Sequence, residues 1–160
     1  MKFTIKHGLP EKPRSACLIL GLMEGRHLTA SGTYIDDAGE GYLSRLLRRD
    51  DFAGRSGQTL LLHDIPGSLY ERVLLVGCGP EQELGDRAYR KAATTAARVL
   101  LDVNVKEAIS TLPELPVKDR DSAWKVRHAV EASHQALYRF DQFKSKQDKP
   151  VPLLRKITLI

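Results

Sequence analysis

Apolar residues lie along this chain in short runs, separated by polar segments that contain glycine and proline. Residues 3–6 alternate between apolar and polar side chains, as a half-buried strand does. The later runs are continuous, which is typical of strands covered by helices on both faces of a sheet. The pattern predicts strands at residues 3–6, 16–21, 58–63, 72–77, 106–112 and 156–160.

Between these runs, apolar residues spaced three and four apart indicate helices. Gly39 and Gly41 weaken the first half of the first helix, because glycine is a poor helix former. The spacing predicts helices over residues 35–49, 86–101 and 123–140, with a loop over residues 25–32 before the first of them.

Capping residues mark where two of these helices begin. Asp86 is a good N-cap for the second helix, and Asp121 or Ser122 for the third. The third helix has an apolar stripe that we expect to face a core. Its members are Trp124, Val126 or Arg127, Val130, Ala132 or Ser133, Leu137, Tyr138 and Phe140.

Strands that alternate with helices predict an α/β fold with three α/β/α layers around a central mixed sheet. The predicted strands at 58–63 and 72–77 are close enough in sequence to form a hairpin. Residues 144–152 are polar and include two prolines, which is typical of a linker. We therefore expect a domain over residues 1–143. Residues 144–160 would then be a linker and the start of a further strand that leads into more protein.

The composition is that of an ordinary globular protein. With 160 residues, 42% of them hydrophobic and 28% charged, the chain is long enough for one domain with a real core. No apolar run approaches the roughly 20 residues of a membrane span, and the start lacks a secretory signal. Both points favour the cytoplasm. Cys17 and Cys78 each lie in an apolar run, which predicts buried thiols.

The net charge of +5 permits binding to phosphate backbones without requiring it. Arg45, Arg48 and Arg49 fall on one face of a predicted helix, and Arg55 follows nearby. Three guanidinium groups together can hold phosphates or carboxylates. These four arginines are the candidate site residues, with three alternatives: a nucleic-acid contact, a contact with another subunit or domain, or a solvated surface.

A second candidate is the turn Gly77-Cys78-Gly79, which follows a strong strand and precedes a helix. Such turns can present backbone N–H groups to a phosphate. The sequence lacks Gly-x-Gly-x-x-Gly, since position 82 is Gln82, and it lacks Gly-Lys-Ser/Thr. The structural alternative is that the two glycines make a sharp turn from strand to helix.

The sequence predicts no catalytic residue and no metal ligand in this chain. Its five histidines lack metal-ligand spacing, and no His-Glu-x-x-His or Gly-x-Ser-x-Gly motif is present. Asp36, Asp37 and Glu40 could bind a hard cation. They fall where we expect the first turn of a helix, a place in which negative charge is favoured in any case.

Several motifs in the right order resemble the amino-terminal domain of bacterial leucyl (cytosol) aminopeptidases. They are Leu46-Leu47-Arg48-Arg49, Phe52-Ala53-Gly54, residues 57–63 and residues 71–79. Residues 10–17 resemble the opening segment of the family, 124–131 its long helix and 138–144 the approach to its linker between domains. The resemblance covers essentially the whole chain, and it is the set of motifs together that is specific.

The resemblance implies a macro-domain-like fold and a non-catalytic role. In this family a second domain carries two divalent metals, manganese or zinc, around an Asn-Thr-Asp-Ala-Glu-Gly-Arg segment that this chain lacks. The implied partners are that missing catalytic domain and a homo-hexamer in which the first domains help to connect trimers. Some bacterial members also bind double-stranded DNA in recombination and transcriptional control, which supplies the alternative function.

Overall fold

A computed structural model describes residues 1–10, 17–25, 27–49, 52–103, 105–142 and 153–160. The strands are β1 (Lys2–Ile5), β2 (Cys17–Met23), β3 (Thr59–His63), β4 (Arg72–Gly79), β5 (Glu107–Ser110) and β6 (Lys156–Leu159). The helices are α1 (Ala30–Ala38), α2 (Tyr42–Arg48), α3 (Asp86–Asp102) and α4 (Ser122–Gln142). Two short 3-10 turns, Glu81–Glu83 and Leu112–Glu114, follow β4 and β5.

The described strands form one mixed sheet in the order β1-β6-β5-β2-β4-β3. Strands β1, β6, β5, β2 and β4 are mutually parallel, so their carboxyl ends meet at one edge of the sheet. The exception is β3, which pairs antiparallel with β4 and thereby confirms the predicted hairpin. The fold is thus α/β with a mixed sheet, as the sequence predicts.

Helices cover both faces of the sheet, because β2 throughout and β4 after Arg72 lack polar side chains and supply apolar side chains to both sides. Cys17 and Ile19 of β2 point into a core with α3 and α4. The intervening Leu18 and Leu20 point into a second core with α1 and α2. All seven residues of β2 are buried, which accounts for its continuous apolar run.

The predicted helix over 35–49 is wrong in its extent, since two helices occupy this region. Thr29 caps α1 with its side chain, accepting from the N–H of Gly32 at 3.3 Å, so the helix begins inside the predicted loop. It ends at Ala38, and Gly41 adopts φ +76° before α2 begins. The break falls at Gly39 and Gly41, the two residues that weaken the helical pattern.

Of the two predicted helix N-caps, the one at α4 is confirmed and the one at α3 is wrong. Asp121 accepts from the N–H of Trp124 at 2.7 Å and confirms the predicted cap of α4. Asp86 is not a cap, because Gly85 occupies that position and Asp86 is the first helical residue.

The predicted apolar stripe of α4 is wrong at Tyr138, which is 65% exposed. The predicted members Trp124, Val126 and Val130 pack against the core, and Ala132 and Ser133 are buried in it. The side chains of Leu137 and Phe140 lie outside the described residues.

The last strand is part of this sheet. β6 lies between β1 and β5 and pairs in parallel with both, so the sheet extends past the boundary expected at residue 143. Residues 143–152, which include the predicted linker, lie outside the described residues, as does most of the opening segment at 10–17. Within the described ranges, no helix combines the length and apolar character that a membrane crossing needs.

Candidate functional site

The backbone of Gly77 and Gly79 is engaged within the protein. Gly77 donates its N–H to the carbonyl of Gln58 at 2.7 Å, and Gly79 donates to that of Gly54 at 2.9 Å. A Cβ at position 77 would lie 2.1 Å from the carbonyl oxygen of Arg55. The two glycines therefore admit the backbone of residues 54–58 beside β4, and their N–H groups are not directed at a phosphate. Strand β4 runs to Gly79, so the predicted sharp turn at 77–79 is also wrong.

A carboxylate joins the segments that follow the carboxyl ends of β5 and β2. In open α/β sheets, ligands bind outside the carboxyl ends of the strands. Here Glu114 accepts from the backbone N–H of Ser31 at 3.1 Å and from the hydroxyl of the same serine. Ser31 has 0% exposure and sits in the first turn of α1, so Glu114 supplies the negative charge which that helix end favours.

An open groove of about 460 Å³ lies at the carboxyl ends of β1 and β6. It is lined by residues 5–9, by Pro113 and Glu114, by Ser122, Lys125 and Val126 of α4, and by Ile160. The segments that line it are far apart in the sequence, and parallel pairing of β1 with β6 brings them together. The sequence analysis did not find this groove, because no single segment carries a motif for it.

Lys125 is the cationic side chain of this groove that is partly withdrawn from water. Its Nζ donates to the carbonyl oxygen of Leu115 at 3.1 Å. Burial lowers the pKa of Lys125, an effect that the nearby carboxylates of Asp121 and Glu114 oppose. Lys6 and His7, on the other wall, are exposed. The groove thus combines apolar walls with cationic groups.

The four predicted arginines belong to two neighbouring parts of the chain, the helix α2 and the loop before β3. Arg45 and Arg48 lie exposed on α2, and Arg49 ends that helix. Arg45 donates to the carbonyl of Glu40. Arg55 lies in the loop before β3, and the adjacent Ser56 accepts from Lys91 of α3 at 3.1 Å. Neither this geometry nor any comparison supports the DNA-binding alternative.

The acidic residues near Gly39 have a structural role different from the predicted one. Asp36 and Asp37 lie in the last turn of α1, so the prediction that they begin a helix is wrong. Asp36 is buried and accepts from the N–H of Ser44 at 3.0 Å and from its hydroxyl, which satisfies the start of α2. Among the described residues, no three of His, Cys, Asp and Glu are grouped to hold a metal ion.

One polar cluster was missed from the sequence because its members are distant along the chain. Arg120 makes two hydrogen bonds to Asp86, at 2.8 and 2.7 Å, and stacks over Trp124 at 5.0 Å from the ring centroid. Trp124 in turn stacks on His128, with 3.9 Å between centroids. These contacts connect the loop after the second 3-10 turn to the first residue of α3.

This architecture defines a macrodomain-like α/β/α protein. The macrodomain of Mycobacterium tuberculosis DarG superposes with a TM-score of 0.67 and 10% identity, over 98% of this chain and 96% of that chain. A tomato leucine aminopeptidase mutant superposes with a TM-score of 0.76 and 18% identity, over 99% of this chain and 32% of that chain. At such identities the two likenesses establish the fold alone.

The family follows from closer relatives. The model of the cytosol aminopeptidase family, N-terminal domain, matches residues 19–147. A probable cytosol aminopeptidase of Idiomarina loihiensis is 49% identical over 157 residues, and the cytosol aminopeptidase of Vibrio cholerae is 50% identical over the same length. The chain belongs to the cytosol aminopeptidase family and corresponds to its N-terminal domain. Each match covers 98% of this chain and 31% of the relative, so the chain spans about a third of the length of these relatives.

Proposed function

We propose that this chain serves a metal-dependent leucyl aminopeptidase as its non-catalytic domain, and that it positions the catalytic part and helps to assemble a hexamer. The observation that carries the proposal is the coverage of the family match. Nearly all of this chain aligns with proteins named cytosol aminopeptidase, while 31% of their length is matched. Two thirds of such an enzyme would lie outside this domain, and the peptide-bond chemistry would lie there with it.

The metal chemistry is assigned to that other part. In the portion of the chain that the structure describes, no cluster of ligating side chains suits even one metal ion. The two divalent ions that the resemblance implies, manganese or zinc, would therefore be held by residues of the catalytic domain. The name of the relatives supports a cytoplasmic location for the whole enzyme.

Two assays test the two parts of this proposal. The isolated chain is expected not to hydrolyse leucine p-nitroanilide, with or without manganese, and hydrolysis by the chain alone would refute the non-catalytic role. For assembly, the matching third of the Vibrio cholerae relative is replaced by this chain, and in a second protein it is deleted. We expect the chimera to remain active and hexameric in analytical ultracentrifugation. A deletion protein that is still hexameric and fully active would refute the role in assembly.

A further inference from the structure

The groove at the carboxyl ends of β1 and β6 has the size and composition of a small-molecule site. Its volume of about 460 Å³ lies within the range of about 300–1,000 Å³ that such sites occupy. It is also placed at the carboxyl edge of parallel strands, the edge at which α/β sheets bind ligands. We propose that this groove binds a small apolar molecule bearing one carboxylate, with Lys125 as the anchor of the charge.

Lys125 is suited to hold an anion. Its half-buried ammonium has one acceptor among the residues that the structure describes, the carbonyl oxygen of Leu115, so two of its three N–H donors can serve a ligand. Partial burial strengthens any bond that this ammonium makes, because the surrounding dielectric is lower than that of water. Ser122, one turn before Lys125 on α4, adds a hydroxyl to the same wall.

The remaining lining selects for an anion with an apolar body. Ile5 is 58% exposed and Leu9 is 40% exposed, and together with Val126 and Ile160 they offer apolar surface that a ligand would cover. Glu114 is the carboxylate of the lining, and both of its oxygens are engaged by Ser31. A cation would therefore share this carboxylate with Ser31, while an anion meets Lys6 and Lys125. A single half-buried ammonium suits one carboxylate better than a doubly charged phosphate, which needs more donors.

The test uses the whole 160-residue chain and three probes. They are isocaproate, its uncharged analogue isocaproamide, and inorganic phosphate. Each is titrated at millimolar concentrations while backbone amide shifts are followed by nuclear magnetic resonance. We expect isocaproate to cause saturable shifts confined to residues 6–9 and 122–126. Isocaproamide and phosphate are expected to cause none.

The matched variants are Lys125→Met and Lys91→Met. Both lysines lie on helices and donate to one backbone carbonyl at 3.1 Å, so the two substitutions perturb similar local contacts. Lys125→Met should weaken isocaproate binding by at least about tenfold, as the loss of a hydrogen bond to a charged group implies, while Lys91→Met should leave it unchanged. Ile5→Thr, at an exposed strand position, should weaken it severalfold through the lost apolar contact.

The proposal is overturned by any of four results. They are shifts that do not saturate, equal binding of isocaproamide, equal binding of phosphate, and undiminished binding by a folded Lys125→Met variant. If Lys125→Met fails to fold, Ile5→Thr decides, because undiminished binding in that variant removes the groove as the site.

Discussion

The carboxylate of Glu114 accepts hydrogen bonds from the backbone N–H and the hydroxyl of Ser31, a residue 83 positions earlier in the chain. The contact joins the 3-10 turn after β5 to the first turn of α1. Ser31 is fully buried, so its backbone N–H and its hydroxyl need an acceptor within the protein, and Glu114 supplies it. A residue that looks like ordinary surface charge in the sequence is thus a connection between two faces of the fold.

Replacement of Glu114 by alanine should lower the free energy of unfolding by about 3 kcal/mol, because two buried donors of Ser31 lose their acceptor. Glu114→Gln, which retains one acceptor oxygen, should cost about half as much. Glu83 offers a matched control, since it ends the other 3-10 turn and is exposed; Glu83→Ala should change stability by less than about 0.5 kcal/mol. Urea denaturation measures all three, and equal effects of Glu114→Ala and Glu83→Ala would contradict the prediction.

Gly77→Ala should destabilise the protein by about 3 kcal/mol or more. The new methyl group would meet the carbonyl oxygen of Arg55 at 2.1 Å, and backbone cannot yield as a flexible side chain does. Gly85→Ala is the control, because a Cβ there has no atom within 4 Å, and the expected cost is below about 1 kcal/mol. Thermal unfolding of both variants decides the matter; similar melting temperatures would show that the 54–58 loop adapts.

Asp86 should titrate at an unusually low pH. The hydrogen bonds and charge of Arg120 lower the pKa of its carboxyl below the ordinary value of about 3.9. The stabilisation from this pair is therefore fully present above about pH 4 and is lost as the pH falls through the lower pKa of the folded protein. In Arg120→Gln the pKa of Asp86 should rise towards the ordinary value, whereas Arg127→Gln, which breaks the separate pair with Glu131, should not move it. Carboxyl resonances followed during an acid titration report both, and an unchanged Asp86 in Arg120→Gln would contradict the assignment.

The thiols of Cys17 and Cys78 should react with a reagent in solution only when the protein unfolds. Burial raises the pKa of Cys17 and of Cys78 to about 12, and both side chains are inaccessible. Because the unfolded thiols have a pKa of about 8.5, the unfolded state loses protons first and stability should fall as the pH rises from about 8.5 towards 12. Labelling with a thiol-reactive disulfide at about pH 8 should accelerate in urea in parallel with the unfolded fraction. Fast labelling in the absence of urea would contradict the burial of both residues.

The central strands were predictable from the sequence because their apolar runs are continuous. β2, β3 and β4 lie within two residues of the predicted limits, and the layers follow from helices that must cover them. The single helix predicted over 35–49 failed, because its periodic apolar residues do recur through the region but Gly39 and Gly41 interrupt the backbone. The spacing of apolar residues predicts which face of a helix is buried. It is less informative about where one helix ends and the next begins.

The candidate site was less accessible to sequence reasoning. The four arginines were selected for their density in the sequence, and in the structure Arg45, Arg48 and Arg49 lie on α2 or at its end while Arg55 follows in a loop, as expected. The groove, in contrast, is formed by residues from the two ends of the chain and from the turn and helix that follow β5. Such a site depends on which strands are neighbours in the sheet. The order β1-β6-β5 cannot be predicted from the sequence of any single segment.

The position of β6 has a consequence for how the protein acquires its structure during synthesis. β1 pairs with β6 and with no other described strand, so Lys2 at the start of β1 has no strand partner until Lys156 of β6 has been synthesised. Pairing between such distant segments carries a large loop-closure entropy and forms late. Until then the edges of β1 and β5 that β6 later occupies are open to unintended strand partners, which makes the nascent domain most vulnerable to aggregation just before its sheet is complete.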